Sequence, residues 1–446
     1  MGGGQLVVKH GVMPVQVHDV GLTALNVADF TGSEGFTALH LAKVQLRACE
    51  CAGLHLISGW SRRHSEVEFQ KKRRFMATPP LGIPDRQTPP EFFKKQLAGE
   101  DPLTFGTAEW LFTLATGFIA ARPWDFLEDQ HLILLKSPLS NETCYCSVLG
   151  ALGEVFSLHA YIGDESYRYF RKMAAGRPVL IGEFFGSLRG VYVEFVGLSE
   201  LTPPDRELAR AFGHPLKRGS MVPIFRALRP GYHPWYPTEN EGVVLAACIG
   251  AVMALCERMV KGDAQDYWKG DGVFPSMVPA QDCGKGERYH LEMVKVSEPP
   301  ATTPEAAPLQ QGRIRKIRDR TYPVRGVFEV DHFYGSAMIG KKDERKACVR
   351  IGLVADADSG MLLPPELGMP ERATSDIIAT VVLNAVEAAQ RLPREIRVAQ
   401  HQLKTLLEPL AAELGITVRT AKRLPALQEA KQELLTMMGD PGPFMG

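Results

Sequence analysis

Apolar positions recur at two periods along this chain, and the most regular run lies towards its C-terminal end. Residues 327–333, Val-Phe-Glu-Val-Asp-His-Phe, read as a first strand. Residues 347–355 form a second apolar strand. Asp356-Ala357-Asp358-Ser359-Gly360 is a turn of residues that tolerate unusual backbone angles, and Met361-Leu362-Leu363 returns as a third strand. Ile377, Ile378, Val381, Val382, Ala385, Val386 and Ala389 then repeat at helical spacing, until Pro393 forbids continuation. A short strand at 395–399 leads into a second helical stripe, Leu403, Leu406, Leu407, Leu410 and Leu414, kinked at Pro409 and capped by Gly415. Residues 416–419 are the next strand, and Leu424-Pro425 opens a last helix. The order is βββαβαβα. Its helix-linked strands, around Ile396 and Ile416, are expected to be parallel through a right-handed crossover.

The preceding pattern is more mixed. Phe92, Phe93, Leu97, Trp110, Leu111, Leu114 and Ile119 place helix over 90–122. Strands are predicted at 131–135, 144–150, 156–162, 179–181 and 191–196, with helices at 164–173 and from Pro203. Thr238, with Glu241 three residues on, is a capping box that opens an apolar helix. These elements predict an α+β N-terminal domain with a mainly antiparallel sheet, followed by a C-terminal α/β module. The Pro- and Ala-rich stretch around 297–308 marks a linker. The expected boundaries are 1–75 as a non-native or flexible extension, 76–290, a linker at 291–320, 321–438, and a tail at 439–446. Met76-Ala77-Thr78-Pro79-Pro80 reads as a protein start, which is why 1–75 is set apart.

Composition narrows the classes. The 446 residues carry 51 Lys and Arg against 51 Asp and Glu, so net charge supplies no long-range field for nucleic acid or an anionic membrane. No run of 18 apolar residues predicts a membrane span. Eight cysteines lack C-x-x-C or zinc-finger spacing, which points to reduced thiols and a cytoplasmic protein. Phosphate-loop, dinucleotide-binding, nucleophile-elbow and H-E-x-x-H motifs are missing.

Three features carry candidate chemistry. The segment 222–237 is dense in Arg, Pro and aromatic residues. Arg226, Arg229, Tyr232 and Trp235 could present guanidinium groups and stacking faces to a ligand, or pin the start of the following helix. The strip Gly312-Arg313-Ile314-Arg315-Lys316-Ile317-Arg318-Asp319-Arg320 is either an amphipathic piece against the next domain or a phosphate-facing surface for nucleic acid. The third feature is acidic. The βββαβαβα order is that of the ribonuclease H-like fold, whose catalytic members hold two metal ions, Mg or Mn, between carboxylates. Asp331 stands where a first-strand acid would be and Glu429 lies in the last helix, with Asp356 and Asp358 in the hairpin turn as further candidates. The middle acid is missing, since strand 395–399 runs into Gln400-His401. His332, beside Asp331, reads as structural.

Two sets of residues also resemble an uncharacterised bacterial two-domain family. One is Arg394-Glu395-Ile396-Arg397-Val398, Leu414-Gly415-Ile416-Thr417-Val418 and Arg423-Leu424-Pro425-Ala426-Leu427. The other is Phe225-Arg226, Arg229-Pro230-Gly231-Tyr232 and Pro234-Trp235. The resemblance implies architecture and bacterial origin and supplies no activity. The favoured expectation is a binding or interaction protein with a degenerate ribonuclease H-like domain, no cofactor, and an unknown protein or small-molecule partner. The alternatives are a divergent two-metal nuclease or phosphotransfer enzyme, and nucleic-acid binding through 313–320.

Overall fold

The computed structural model describes residues 5–8, 11–14, 100–175, 184, 186–262, 267–268, 270, 272–280, 288–297, 309–341 and 344–437. An antiparallel pair is formed by β1 (Gln5–Val8) and β2 (Gly11–Pro14). The rest of the described chain is mixed α and β, built on two mixed sheets. The predicted strand at 179–181, the helix before residue 100 and the proposed start at Met76 lie outside the described residues.

The first unit is a seven-stranded sheet in the order β7-β6-β5-β4-β3-β8-β9. Its strands are β3 (Ile133–Lys136), β4 (Thr143–Leu149), β5 (Phe156–Ile162), β6 (Gly190–Val196), β7 (Val222–Leu228), β8 (Val273–Pro279) and β9 (Tyr289–Lys295). Every neighbouring pair is antiparallel except β3 with β8. Side-chain alternation divides the sheet into two faces. Ile133, Cys144, Cys146, Val148, Leu158, Ala160, Val191 and Val193 share one core with α1 (Phe105–Ala121) and α4 (Glu239–Val260). Leu134, Tyr145, Tyr161 and Tyr192 on the other face pack with Tyr167, Phe170 and Met173 of α2 (Gly163–Ala174). The predicted capping box opens α4: Glu241 N–H donates to Thr238 Oγ1, and Thr238 N–H donates to Glu241 Oε2 at 2.9 Å. Among the described residues α4 alone is long and apolar enough to cross a membrane, yet 72% of its most apolar window is buried in the protein. Its composition is that of a helix between a sheet and a second helix.

Three strands depart from expectation, and all are near sheet edges. β7 carries Pro223, which cannot donate to a ladder and is tolerated because β7 has a neighbour on one side only. β8 holds Pro275 and Pro279, and the edge strand β9 is largely exposed, so neither shows clean alternation. The expected linker at 291–320 is correspondingly shorter. β9 stays in the first sheet to Lys295, and α5 (Gln311–Asp319) buries Ile314 and Ile317 in the second core.

The second unit has the order β12-β11-β10-β13-β14. β10 (Val327–Ile339) pairs antiparallel with β11 (Ala347–Asp356), and β11 with β12 (Glu366–Gly368). β13 (Glu395–Val398) joins β10 in parallel, and β14 (Thr417–Thr420) joins β13 in parallel. Between them run α6 (Thr374–Ala389) and α7 (His401–Leu414), and α8 (Pro425–Met437) ends the unit. The βββαβαβα order and the parallel pair at Ile396 and Val418 follow the pattern read from the sequence. The third strand is split. Met361 and Leu363 still bond the end of β11, Pro364-Pro365 interrupts, and ladder pairing resumes at Glu366. α5, α6 and α7 cover one face around Phe328, Val330 and Val354; α8 covers the other, where Leu424 and Leu427 meet Phe333, Ile351 and Leu353.

The units meet along a backbone seam. His233 N–H donates to Lys346 O at 2.9 Å, and Cys348 N–H to Gly231 O at 2.8 Å. Gly231 has φ +83°, and a Cβ there would lie 2.5 Å from Pro370, so both backbone conformation and close approach demand glycine. The Arg345 side chain, 6% exposed, lies in the same seam, within 3.5 Å of Glu100 and Glu241.

Candidate functional site

The four candidate acids of the second unit are not brought together. Asp331 faces α8: it stands opposite Leu353 and takes Lys431 Nζ at 2.6 Å. Asp356 stands opposite Phe328, on the face of α6, and is paired with Arg391 at 2.7 Å. Three residues of strand separate these positions, an odd number, so the pleat sends the two carboxylates to opposite sides of the sheet. Asp358 lies exposed in the turn, where its N–H donates to Asp356 Oδ1 at 3.1 Å, and Glu429 lies on the exposed side of α8. No group of three or more His, Cys, Asp and Glu side chains among the described residues is arranged to hold a metal.

The candidate binding residues divide between core and seam. Trp235 is buried in the first core. Arg226, on β7, is buried with Asp205 at 2.7 Å and lies 4.5 Å from the Tyr236 ring centroid. Arg229 bonds Glu241 of the capping box at 2.7 Å and Glu100 at 2.8 Å, so it pins the start of α4 at the seam. Tyr232 crosses the seam and donates to Glu371. The basic strip is the amphipathic helix α5. Arg313 is paired with Glu387 and Arg318 with Glu413, both at 2.7 Å, which leaves Arg315, Lys316 and Arg320 exposed.

A different set of residues converges where β10, β11 and the first turn of α6 meet. Tyr334 stands opposite Arg350, and His332 opposite Gly352, on the face that α6 covers. Gly352 lets that helix approach: a Cβ there would lie 3.2 Å from Ile377 and from Val381. Arg350 is only 4% exposed. Its guanidinium donates to the carbonyls of Pro370 and Arg372 and to Thr374 Oγ1, and lies 5.4 Å from the Tyr334 ring centroid. All of these acceptors are neutral, and its Nε–H has no partner. Burial pushes the Arg350 guanidinium down, and Arg372 pushes the same way against Tyr334. Ser375, in the first turn of α6, is 4% exposed with an unpartnered hydroxyl. The buried Nε2 of His332 also lacks a partner, and burial, with Arg350 and Lys431 nearby, pushes its pKa down to about 3. This imidazole is neutral at ordinary pH. Buried polar groups are nearly always satisfied, so three orphans at one corner call for an explanation. The corner adjoins the seam through two glycines. Pro370 packs on Gly231, and a Cβ at Gly186 would lie 2.5 Å from the Tyr334 ring. Sequence reading passed over Arg350 and Ser375 because an arginine in a strand and a serine at a helix start are unremarkable apart from their surroundings.

A second polar group lies inside the first unit. On one face of the β5–β6 pair, Ser157 stands opposite Glu194 and His159 opposite Tyr192. The His159 and Tyr192 rings stack at 4.7 Å, and the His159 nitrogens, the Tyr192 hydroxyl and the Ser157 hydroxyl are buried without partners. Burial pushes Glu194 up to about 7, with Glu200 adding like charge and Arg226 opposing. Arg226 is engaged by Asp205, and burial holds His159 neutral by taking its pKa down to about 3. A carboxyl whose pKa is higher folded than unfolded favours the protonated native state, so its stabilising effect is complete below the unfolded value and lost as pH rises. Stability is therefore expected to fall between about pH 4.3 and about pH 7, by roughly 3 kcal/mol from this group, and then level off. Thermal unfolding of wild type and Glu194→Gln from pH 5 to 8 checks this. The variant's curve should lack that fall; superimposable profiles would discount Glu194.

No curated protein matches the chain. Residues 109–273 match the family described as Domain of unknown function (DUF7309), and residues 313–435 match Domain of unknown function (DUF6930). The first match covers β3 to β7 and stops at the start of β8, and the second runs from α5 into α8 and spans the second sheet. A DUF7309 domain followed by a DUF6930 domain fits an uncharacterised two-domain family.

Proposed function

We propose that this chain is a ligand-binding protein, that its ligand sits at the seam between the two units, and that the C-terminal unit is a ribonuclease H-like fold used for binding. The order β12-β11-β10-β13-β14, with β11 antiparallel to the strands beside it and two parallel crossovers, supports the fold reading. The divergence of Asp331 and Asp356 onto opposite sheet faces weighs against a shared two-metal centre. Five free, buried cysteines, Cys144, Cys146, Cys248, Cys256 and Cys348, suit a reducing cytoplasm. Arg313 and Arg318, spent on Glu387 and Glu413, leave the 313–320 strip a weaker claim to nucleic acid.

One observation carries the binding reading: Arg350, His332 and Ser375 keep buried hydrogen-bonding atoms unsatisfied at one corner beside the seam. Such atoms cost about 1–3 kcal/mol each when left unpaired, a cost a bound ligand would remove. Thermal unfolding of the full chain against a panel of small phosphates, carboxylates, amines and sugars tests it. One compound class should raise Tm by several degrees in wild type and leave Ser375→Leu, which fills the corner, unmoved. Equal shifts in both proteins, or none in either, would count against a seam ligand.

A further inference from the structure

We infer that the corner formed by Arg350, Ser375, His332 and the first turn of α6 is an oxyanion site, taking the phosphate or carboxylate group of a small molecule. This rests on the seam-binding reading and adds the charge of the ligand. The first argument is a charge inventory. The carboxylates nearest the first turn of α6 are committed, and exposed Glu165 lies on the far side of the Tyr334 ring, whose hydroxyl is pushed up by burial and by that carboxylate. Asp376 is held by Arg372 at 2.5 Å, and Glu366 by the same guanidinium and by Asn384 at 3.0 Å. Glu371 takes the Tyr232 hydroxyl. Asp331 is paired with Lys431 on the opposite face of the sheet. Arg350 is left as a buried cation among neutral oxygens, and a buried cation is retained only where some other interaction compensates.

The helix adds to the same field. α6 has 16 residues, and its N-cap is Ala373, which supplies no side-chain cap. The N–H groups of Thr374 and Ser375 therefore add partial positive charge beside a full one, with Asp376 of the same turn turned to Arg372. Two like fields at one point favour an anion there. The unsatisfied atoms match in kind. Arg350 Nε–H and the Ser375 hydroxyl are donors, and neutral His332 donates from Nε2 in one tautomer. A buried water would satisfy some of these donors and leave the charge uncompensated.

The sheet leaves room beside the corner. β10 pairs with β13 only from Val327 to Val330, and beyond it the chain from β13 turns away into α7. His332, two residues past the last of those pairs, is laddered only to Gly352 of β11.

Isothermal titration of the full chain with inorganic phosphate, sulfate and acetate tests the inference. Saturable binding of one equivalent is expected, with phosphate or acetate preferred according to which group the natural ligand carries. Arg350→Met should weaken it at least tenfold. Because Arg350 also clamps residues 370–374, that variant could lose structure, so Ser375→Asp gives an independent readout. An aspartate there would supply the missing counter-ion, raise Tm and abolish anion binding. An ordinary buried serine changed to aspartate would lower Tm. A lowered Tm with anion binding intact would overturn the oxyanion site. If none of the three anions binds while an amine or sugar from the panel shifts wild type and not Ser375→Leu, the site is real and its charge assignment is wrong. If nothing binds at all, the seam reading falls with it.

Discussion

Asp205→Ala is expected to lower the unfolding free energy by about 3–5 kcal/mol, a large fraction of a typical domain's stability. Asp205 Oδ2 receives Arg226 Nη2 at 2.7 Å, and the two side chains are 3% and 7% exposed. The same oxygen accepts the Thr202 hydroxyl at 2.6 Å at the start of α3 (Pro203–Ala211), where Thr202 and Asp205 form a capping box. Removing the carboxylate strands the Arg226 guanidinium beneath the sheet, with the Phe225 carbonyl and the Tyr236 ring as its remaining partners. It also removes the reciprocal half of the capping box, the bond from Thr202 N–H, while Thr202 Oγ1 still accepts from the backbone N–H of residue 205. Urea unfolding with an unchanged m-value checks the figure. The double variant Asp205→Leu with Arg226→Met should recover much of the loss, because removing both charges leaves neither one buried alone. A single-variant loss below about 1 kcal/mol would show that the pair is not isolated from water.

Arg345→Met is expected to uncouple the two units. Arg345 donates to the carbonyls of Ala227 and Tyr236 at 3.4 and 3.3 Å and lies 3.5 Å from both Glu100 and Glu241. Burial pushes its guanidinium down while the two carboxylates oppose, so this cation is held in the seam at a cost. Methionine keeps the bulk and deletes the charge. Two carbonyls then lose a donor, and Arg229 becomes the one cation still bonded to Glu100 and Glu241 among the described residues. The expected loss is about 2–4 kcal/mol, concentrated at the seam. Calorimetry should resolve one cooperative transition into two. Hydrogen exchange at the Gly231 to His233 and Lys346 to Cys348 backbone should accelerate, because those seam bonds would open without unfolding either sheet. A single transition with unchanged exchange would mean that backbone pairing alone joins the units.

Much of the second unit could be read from its residues. The apolar-rich run 327–333, the stripe from Ile377 to Val386 and the Gly415 stop each mark an element through residues close together in the chain. Such patterns are local consequences of burying one face. β8 and β9 escaped because a strand near an edge need not alternate, and because Pro275 and Pro279 argue against a strand until the position of β8 in the sheet is known. β10 runs on to Ile339, past an irregularity between Tyr334 and Met338 where the repeat breaks. The acids of the candidate metal set were visible as residue types. Their separation became plain only when register placed Asp356 opposite Phe328 and Asp331 opposite Leu353.

The amino-acid order by itself determined most helices and the regular strands of the second unit, because period and capping depend on neighbours a few residues apart. It also determined that a segment dense in arginine and aromatic residues precedes α4. Only the tertiary structure decided what that segment does: Arg226 and Trp235 belong to the core, while Arg229 and Tyr232 join the seam. It also brought Arg350 of β11 to the first turn of α6 with no acid to meet it. Whether a charge is satisfied depends on every group that folding brings around it, and for Arg350 those groups come from β10 and from the chain 20–24 positions away.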